Sequence, residues 1–123
     1  MADTEKSGVY KVAVASSDGT MVNRHYGKAE QFLVYAVDDD EGYDFVETRE
    51  VVPVCTENGH LEPAMRQSTA RFSDCRYVVA AKIGSGASAS LAERGITAMK
   101  LPGSIEEAIV KVWKYNRIQG LFK

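Results

Sequence analysis

Val9-Tyr10-Lys11-Val12-Ala13-Val14-Ala15 is an almost unbroken apolar run, followed at once by the turn residues Ser16-Ser17-Asp18-Gly19. A strand with one wet face alternates apolar and polar residues, whereas a strand covered on both faces does not. The run therefore predicts a central strand with a cover on each side. Gln31 to Val37 is rich in β-branched and aromatic residues and reads as a second strand. Asp38-Asp39-Asp40-Glu41-Gly42 is a tight polar turn, and Phe45 to Val52 mixes Glu47, Thr48, Arg49 and Glu50 with valines, as suits a third strand at a sheet edge. The acidic run 38–41 reads as a solvated hairpin tip, since it lacks the spaced ligands and closing glutamate of a calcium loop.

The second half changes rhythm. Pro53 to His60 is a loop, and Glu62-Pro63 opens a helix with proline in its permissive first turn. Leu61, Ala64, Met65 and Phe72 recur at near-helical spacing. Tyr77 to Ala81 is a fourth, buried-type strand, broken by Gly84-Ser85-Gly86; Ala87 to Arg94 is helical and stopped by Gly95. Ile96 to Leu101 is a fifth strand. Ser104-Ile105-Glu106-Glu107 is a capping box, and Ile105, Ala108, Ile109, Val112 and Trp113 form one apolar helical stripe. Met65 and Trp113 read as core packing rather than cofactor contacts.

The order is thus β-β-β-α-β-α-β-α. Short connections make the first three strands an antiparallel meander, and right-handed helical crossovers set strands four and five parallel to strand one. The expected fold is α/β: a three-layer, ribonuclease-H-like arrangement with a five-stranded mixed sheet. Its strand order is 3-2-1-4-5, strand two is antiparallel, and helices lie on both faces.

The bulk numbers agree. At 123 residues the chain suits one domain, with residues 1–7 a flexible tail and 8–123 a single folded unit. A net charge of −2 argues against a nucleic-acid module working through a basic stripe. No apolar run approaches the ~20 residues of a membrane span. The polar start Met1-Ala2-Asp3-Thr4-Glu5-Lys6 lacks the apolar segment of an export signal, and two cysteines make no disulfide framework, so a cytoplasmic location is expected.

In this topology strands one, three and four end on one edge of the sheet. The loop after the first carries Val22-Asn23-Arg24-His25-Tyr26-Gly27, the loop after the third carries Cys55 and His60, and the loop after the fourth carries Lys82 and Gly84-Ser85-Gly86. Ligands of open α/β sheets bind at that edge, where the strand order reverses. Each residue also has a plainer reading. His25 alone could cap a turn, Cys55 could be a small half-buried hydrophobe, His60 sits in a long loop, and Cys75 falls on the opposite edge as a structural residue. Gly84-Ser85-Gly86 lets a backbone approach an anion at a helix start, yet it is neither a Walker loop nor Gly-x-Gly-x-x-Gly, because position 89 is alanine.

Zinc wants three or four protein ligands. One imidazole (His25), one thiol (Cys55), a helix start and the cations Arg24, Lys28 and Lys82 suit a different guest. That guest is an anionic metal–sulfur cluster that brings its own sulfide and needs one or two protein ligands.

The segments Lys11 to Asp18, Val22 to Gly27 and Phe32 to Tyr35 resemble the dinitrogenase iron–molybdenum cofactor biosynthesis family. That family includes NifX, the NafY core and the C-terminal domain of NifB-type synthases. Ser73 to Arg76, Ala81 to Gly84, Gly86 to Ser88, Leu91 and Gly95-Ile96 are similar too, so the likeness spans residues 9–113. The resemblance implies a ribonuclease-H-like fold. It also implies binding of the iron–molybdenum cofactor or its iron–sulfur precursor as cargo for carriage or storage, with no catalysis, and nitrogenase assembly proteins as partners. The family histidine maps onto His25. Some relatives carry cysteine after strand four, where this chain has Lys82, Gly84, Ser85 and Gly86, and Tyr26 stands where phenylalanine is common. Members outside nitrogen fixation include one type that holds a molybdenum–copper sulfide cluster.

The leading expectation is a metallocluster carrier, monomer or weak dimer, with His25 as principal ligand and Cys55 as second. A regulatory or assembly module that takes another cluster or a protein partner is the alternative. A ribonuclease-H-type nuclease would need clustered carboxylates, one within strand one, and that strand has none.

Overall fold

The computed structural model describes residues 9–38, 42–51 and 62–121. In chain order these form strand β1 (Tyr10–Ala15), β2 (Met21–Val22), a 3₁₀ turn (Tyr26–Lys28), β3 (Gln31–Val37) and β4 (Tyr43–Glu50). Helix α1 (Glu62–Ala70), β5 (Tyr77–Ala80), α2 (Ser85–Glu93), β6 (Thr97–Lys100), β7 (Gly103–Ser104) and α3 (Ile105–Leu121) follow. The five longer strands make one sheet in the order β4-β3-β1-β5-β6. β3 runs antiparallel to both β1 and β4, while β1, β5 and β6 are parallel.

The apolar character of β1 has a direct cause. Val12, Ala13, Val14 and Ala15 are all fully buried, because the pleat sends them alternately into two cores. Ala13 and Ala15 join Phe32, Val34, Val78 and Ala80 under Met65 of α1 and Ala87 and Leu91 of α2. Val12 and Val14 join Leu33, Tyr35 and Val79 under Ile105, Ala108, Ile109 and Val112 of α3. Helices therefore cover both faces of a mixed α/β sheet. The serine half of the capping box is formed, with the Glu107 N–H donating to Ser104 Oγ at 3.1 Å. Gly95, at φ 78°, closes α2 with two reverse bonds, from its own N–H to Ala92 O and from the Ile96 N–H to Leu91 O.

Several boundaries differ from expectation. The third strand begins two residues early, at Tyr43, and ends at Glu50 rather than Val52. A bulge leaves Val46 without a partner, so that Phe45 faces Tyr35 while Glu47 faces Val34. Tyr43 and Phe45 each pack edge-on to Tyr35 at 5.8 Å, an aromatic pairing that favours the earlier start. The second helix starts at Ser85 rather than Ala87, because extended Gly84 serves as the N-cap and its carbonyl accepts the Ser88 N–H. Phe72 lies beyond α1, in the turn after it, fully buried edge-on to Phe32 at 4.7 Å. The pair β2–β7 was not foreseen: it ties the loop after β1 to the start of α3. Residues 1–7, Cys55, His60 and the rest of the loop 53–60 lie outside the described residues.

Candidate functional site

The loop after β1 is built by its own polar side chains. Buried Ser16 Oγ accepts the Gly19 N–H at 3.0 Å, and the Asp18 carboxylate accepts the N–H groups of Thr20 and Met21 at 2.9 and 3.0 Å. Those backbone donors, that of Met21 first, hold the Asp18 carboxyl below its ordinary range. Asp18 is thus a turn former. The chain then returns to the sheet and is stitched to the end of β5. Arg24 O accepts the Ala81 N–H at 2.9 Å, the Tyr26 N–H donates to Lys82 O at 2.8 Å, and His25 bridges Lys82 in parallel register. This is the point where the sheet divides, with β3 and β4 to one side and β5 and β6 to the other.

Tyr26 anchors the turn from inside. Its ring packs against Phe32 and Phe72, and its hydroxyl meets Ser68 Oγ of α1 at 2.8 Å. The residue is 2% exposed, and burial pushes its phenol above the ordinary range. A rigid neighbour therefore fixes His25, which itself remains exposed.

His25, Tyr26, Gly27, Met65, Lys82, Gly84 and Ala87 line a recess of about 170 Å³. Met65, expected only in the core, is buried there and also reaches this recess. Ser85 and Gly86 are exposed in the first turn of α2 beside it. A Cβ added at Gly84 or Gly86 would meet nothing within 4 Å, so the helix entrance, with its free N–H groups, is open to a guest. Arg24 and Lys28 line a second recess, of about 230 Å³, with Ser16, Ser17, Glu30 and Gln31. The single cationic cradle expected from sequence is therefore two recesses divided by the 24–28 turn.

The opposite rim is chemically different. Asp74 accepts from Arg49 at 2.9 Å and from Lys11 at 3.2 Å, and these cations, Arg49 first, hold its carboxyl far below the usual range. Neighbouring Cys75 is buried, and its thiol is pushed up to about 12 by burial and then by Asp74. Asp18 and Asp74 thus occupy opposite rims and are both engaged. Among the described residues no group of three or more His, Cys, Asp or Glu could hold a metal ion. One open imidazole beside a cation and a helix start suits a guest that brings most of its own ligands.

Sequence reasoning missed the Tyr26–Ser68 latch, although an aromatic residue between an exposed histidine and a glycine was its visible signal. It also missed the division of the cations, which only the path of the turn decides.

Residues 8–115 match the family described as dinitrogenase iron–molybdenum cofactor. The chain is 34% identical over 113 residues to the FeMo cofactor biosynthesis protein NifB of Chlorobaculum tepidum, covering 91% of this chain and 26% of that protein. It is 34% identical over 119 residues to NifB of Azotobacter vinelandii, covering 88% and 23%. It is 27% identical over 115 residues to NifX of Sinorhizobium fredii, covering 89% and 71%. The chain thus spans about a quarter of the NifB relatives' length. Its fold resembles that of a Thermotoga protein provisionally named NifB (TM-score 0.55, 19% identity, 88% of this chain and 90% of that one). A Methanocaldococcus jannaschii protein provisionally named a dinitrogenase is also similar (TM-score 0.56, 14% identity, 89% and 91%). The chain belongs to the dinitrogenase iron–molybdenum cofactor family.

Proposed function

We propose that this protein binds the nitrogenase iron–molybdenum cofactor or its iron–sulfur precursor, and carries or stores it during cofactor biosynthesis without catalysing a reaction. One observation carries the reading: the exposed imidazole of His25 sits beside Lys82 at a recess onto which the start of α2 opens. Neutral imidazole is a ready metal ligand, and a cluster with its own sulfides needs few others. Lys82 and the open turn Gly84-Ser85-Gly86 favour its negative charge, while Arg24 and Lys28 add attraction from the neighbouring recess. Few ligands also permit release, which carriage requires. Relatives named for FeMo cofactor biosynthesis support the same conclusion.

Cys55 is the proposed second ligand. Nitrogenase assembly proteins are the proposed partners, the cytoplasm the compartment, and a monomer or weak dimer the working form. The three-layer arrangement is read as ribonuclease-H-like, but the separation of Asp18 from Asp74 disfavours nuclease chemistry. A second reading, a module docking a protein or another cluster outside nitrogen fixation, draws on the exposed edge strand β4 with its exposed Phe45 and Val46.

Anaerobic titration with isolated cofactor and with precursor, on wild type, His25→Ala and Cys55→Ala, tests the proposal. We expect stoichiometric binding by wild type and at least a tenfold loss in His25→Ala. Undiminished binding by that variant would remove His25 from the site.

A further inference from the structure

We infer that the recess on the far side of the 24–28 turn is a second binding site, built for a small oxyanion of the phosphate or carboxylate class. This goes beyond the cluster reading, because neither its chemistry nor its test requires a cluster.

The turn gives its two sides different residues. His25, Tyr26 and Gly27 face one recess, and Arg24 and Lys28 face the other, where Ser16, Ser17, Glu30 and Gln31 complete the lining. Two cations brought to one hollow repel each other unless an anion lies between them. Among the described residues neither Arg24 nor Lys28 has a carboxylate within ion-pair distance. Glu30 lines the same hollow and pairs with neither. Around the segment before β5, by contrast, Arg49 and Lys11 are both matched by Asp74.

The remaining polar groups point to what is missing. Ser16 Oγ is spent on the turn, accepting from Gly19 and lying 3.3 Å from Asp18 Oδ1. Ser17 differs. Its Oγ accepts the Asn23 side-chain amide at 3.0 Å, and its backbone N–H donates to Asn23 Oδ1 at 3.0 Å, so the wall is pinned while the hydroxyl proton remains to be given. Gln31 donates one amide hydrogen to Ser16 O at 3.1 Å and keeps the other. A guanidinium, an ammonium, a hydroxyl and an amide, all with protons to give, line one volume of about 230 Å³. Oxygen acceptors carrying negative charge satisfy such a set, and the arginine fork matches two of them at once. Glu30 makes the hollow selective, since an anion that also carries a proton can donate to its carboxylate.

The test is calorimetric titration of cluster-free protein at low ionic strength with two probes, inorganic phosphate for a free ion and citrate for an organic acid. One-to-one saturable binding of either probe is expected, with the tighter probe identifying the source. Arg24→Gln and Lys28→Gln should each weaken it about tenfold, and Glu30→Gln should strengthen it severalfold. Lys111→Gln, at an exposed position of α3, should leave it unchanged. No saturable binding of either probe overturns the inference. So does binding that Lys111→Gln weakens as much as Lys28→Gln, since that reports only a general cationic surface. Because no cluster is present, neither result bears on the His25 assignment.

Discussion

The two rims of the sheet hold similar side chains in opposite states. At the amino rim Asp74 is matched by Lys11 and by Arg49, which reaches it from near the carboxyl end of β4 and also pairs with Glu47, and the one nearby sulfur, on Cys75, is buried and protonated. At the carboxyl rim His25, Arg24, Lys28 and Lys82 stand exposed and unmatched among the described residues. Matched charges close a surface, whereas unmatched ones on a rigid frame leave it open to a guest. The frame at the open rim is the buried Tyr26, fixed through its ring, its hydroxyl and its backbone N–H.

That contrast can be broken at several points. The largest effect is expected at the open rim, where His25→Ala should abolish most cluster affinity yet leave thermal stability within about 0.5 kcal/mol, as at exposed positions generally. A large loss of stability in that variant would place His25 in the frame instead. Tyr26→Phe keeps the ring and removes the bond to Ser68. We expect it to cost about 1–2 kcal/mol in chemical denaturation, because Ser68 is left buried without that partner. A neutral result would show that the ring alone holds the turn.

At the closed rim, Asp74→Asn should cost about 1 kcal/mol, kept small because the side chain is 44% exposed and solvent screens the pair. The sign with pH is definite. Arg49 depresses the folded carboxyl, so its contribution is fully present above the unfolded value of ~3.9 and fades as pH falls below it. Wild type should therefore lose its advantage over Asp74→Asn in acid, and a constant gap between pH 7 and pH 3 would contradict the pairing. The smallest effect concerns Cys75. Its buried, protonated thiol should resist alkylation in native protein at pH 8 and react on unfolding, as followed by mass spectrometry of the Cys55→Ala variant.

Much of the frame was legible in the sequence, because the signals there are local. The unbroken apolar β1 announced two covers, Gly95 announced the end of α2, and Ser104 with Glu107 announced the start of α3. The bulge at Val46 was not legible, since it depends on Tyr35 drawing Tyr43 and Phe45 across the strand pair. Nor was the β2–β7 pair, whose partners lie about eighty residues apart. At the site, topology alone brought His25 next to Lys82 and Gly84. It could not say that Arg24 and Lys28 turn to the other side, because one short 3₁₀ turn decides which way each side chain leaves the chain. The place of Cys55 lies outside the described residues.

The most direct measurement is pulsed electron paramagnetic resonance on protein labelled with ¹⁵N-histidine and loaded anaerobically with the paramagnetic cofactor. We expect a hyperfine coupling from one imidazole nitrogen, present in wild type and in His60→Ala and absent from His25→Ala. Bound cofactor with no histidine coupling, or a coupling that survives in His25→Ala, would contradict the central claim.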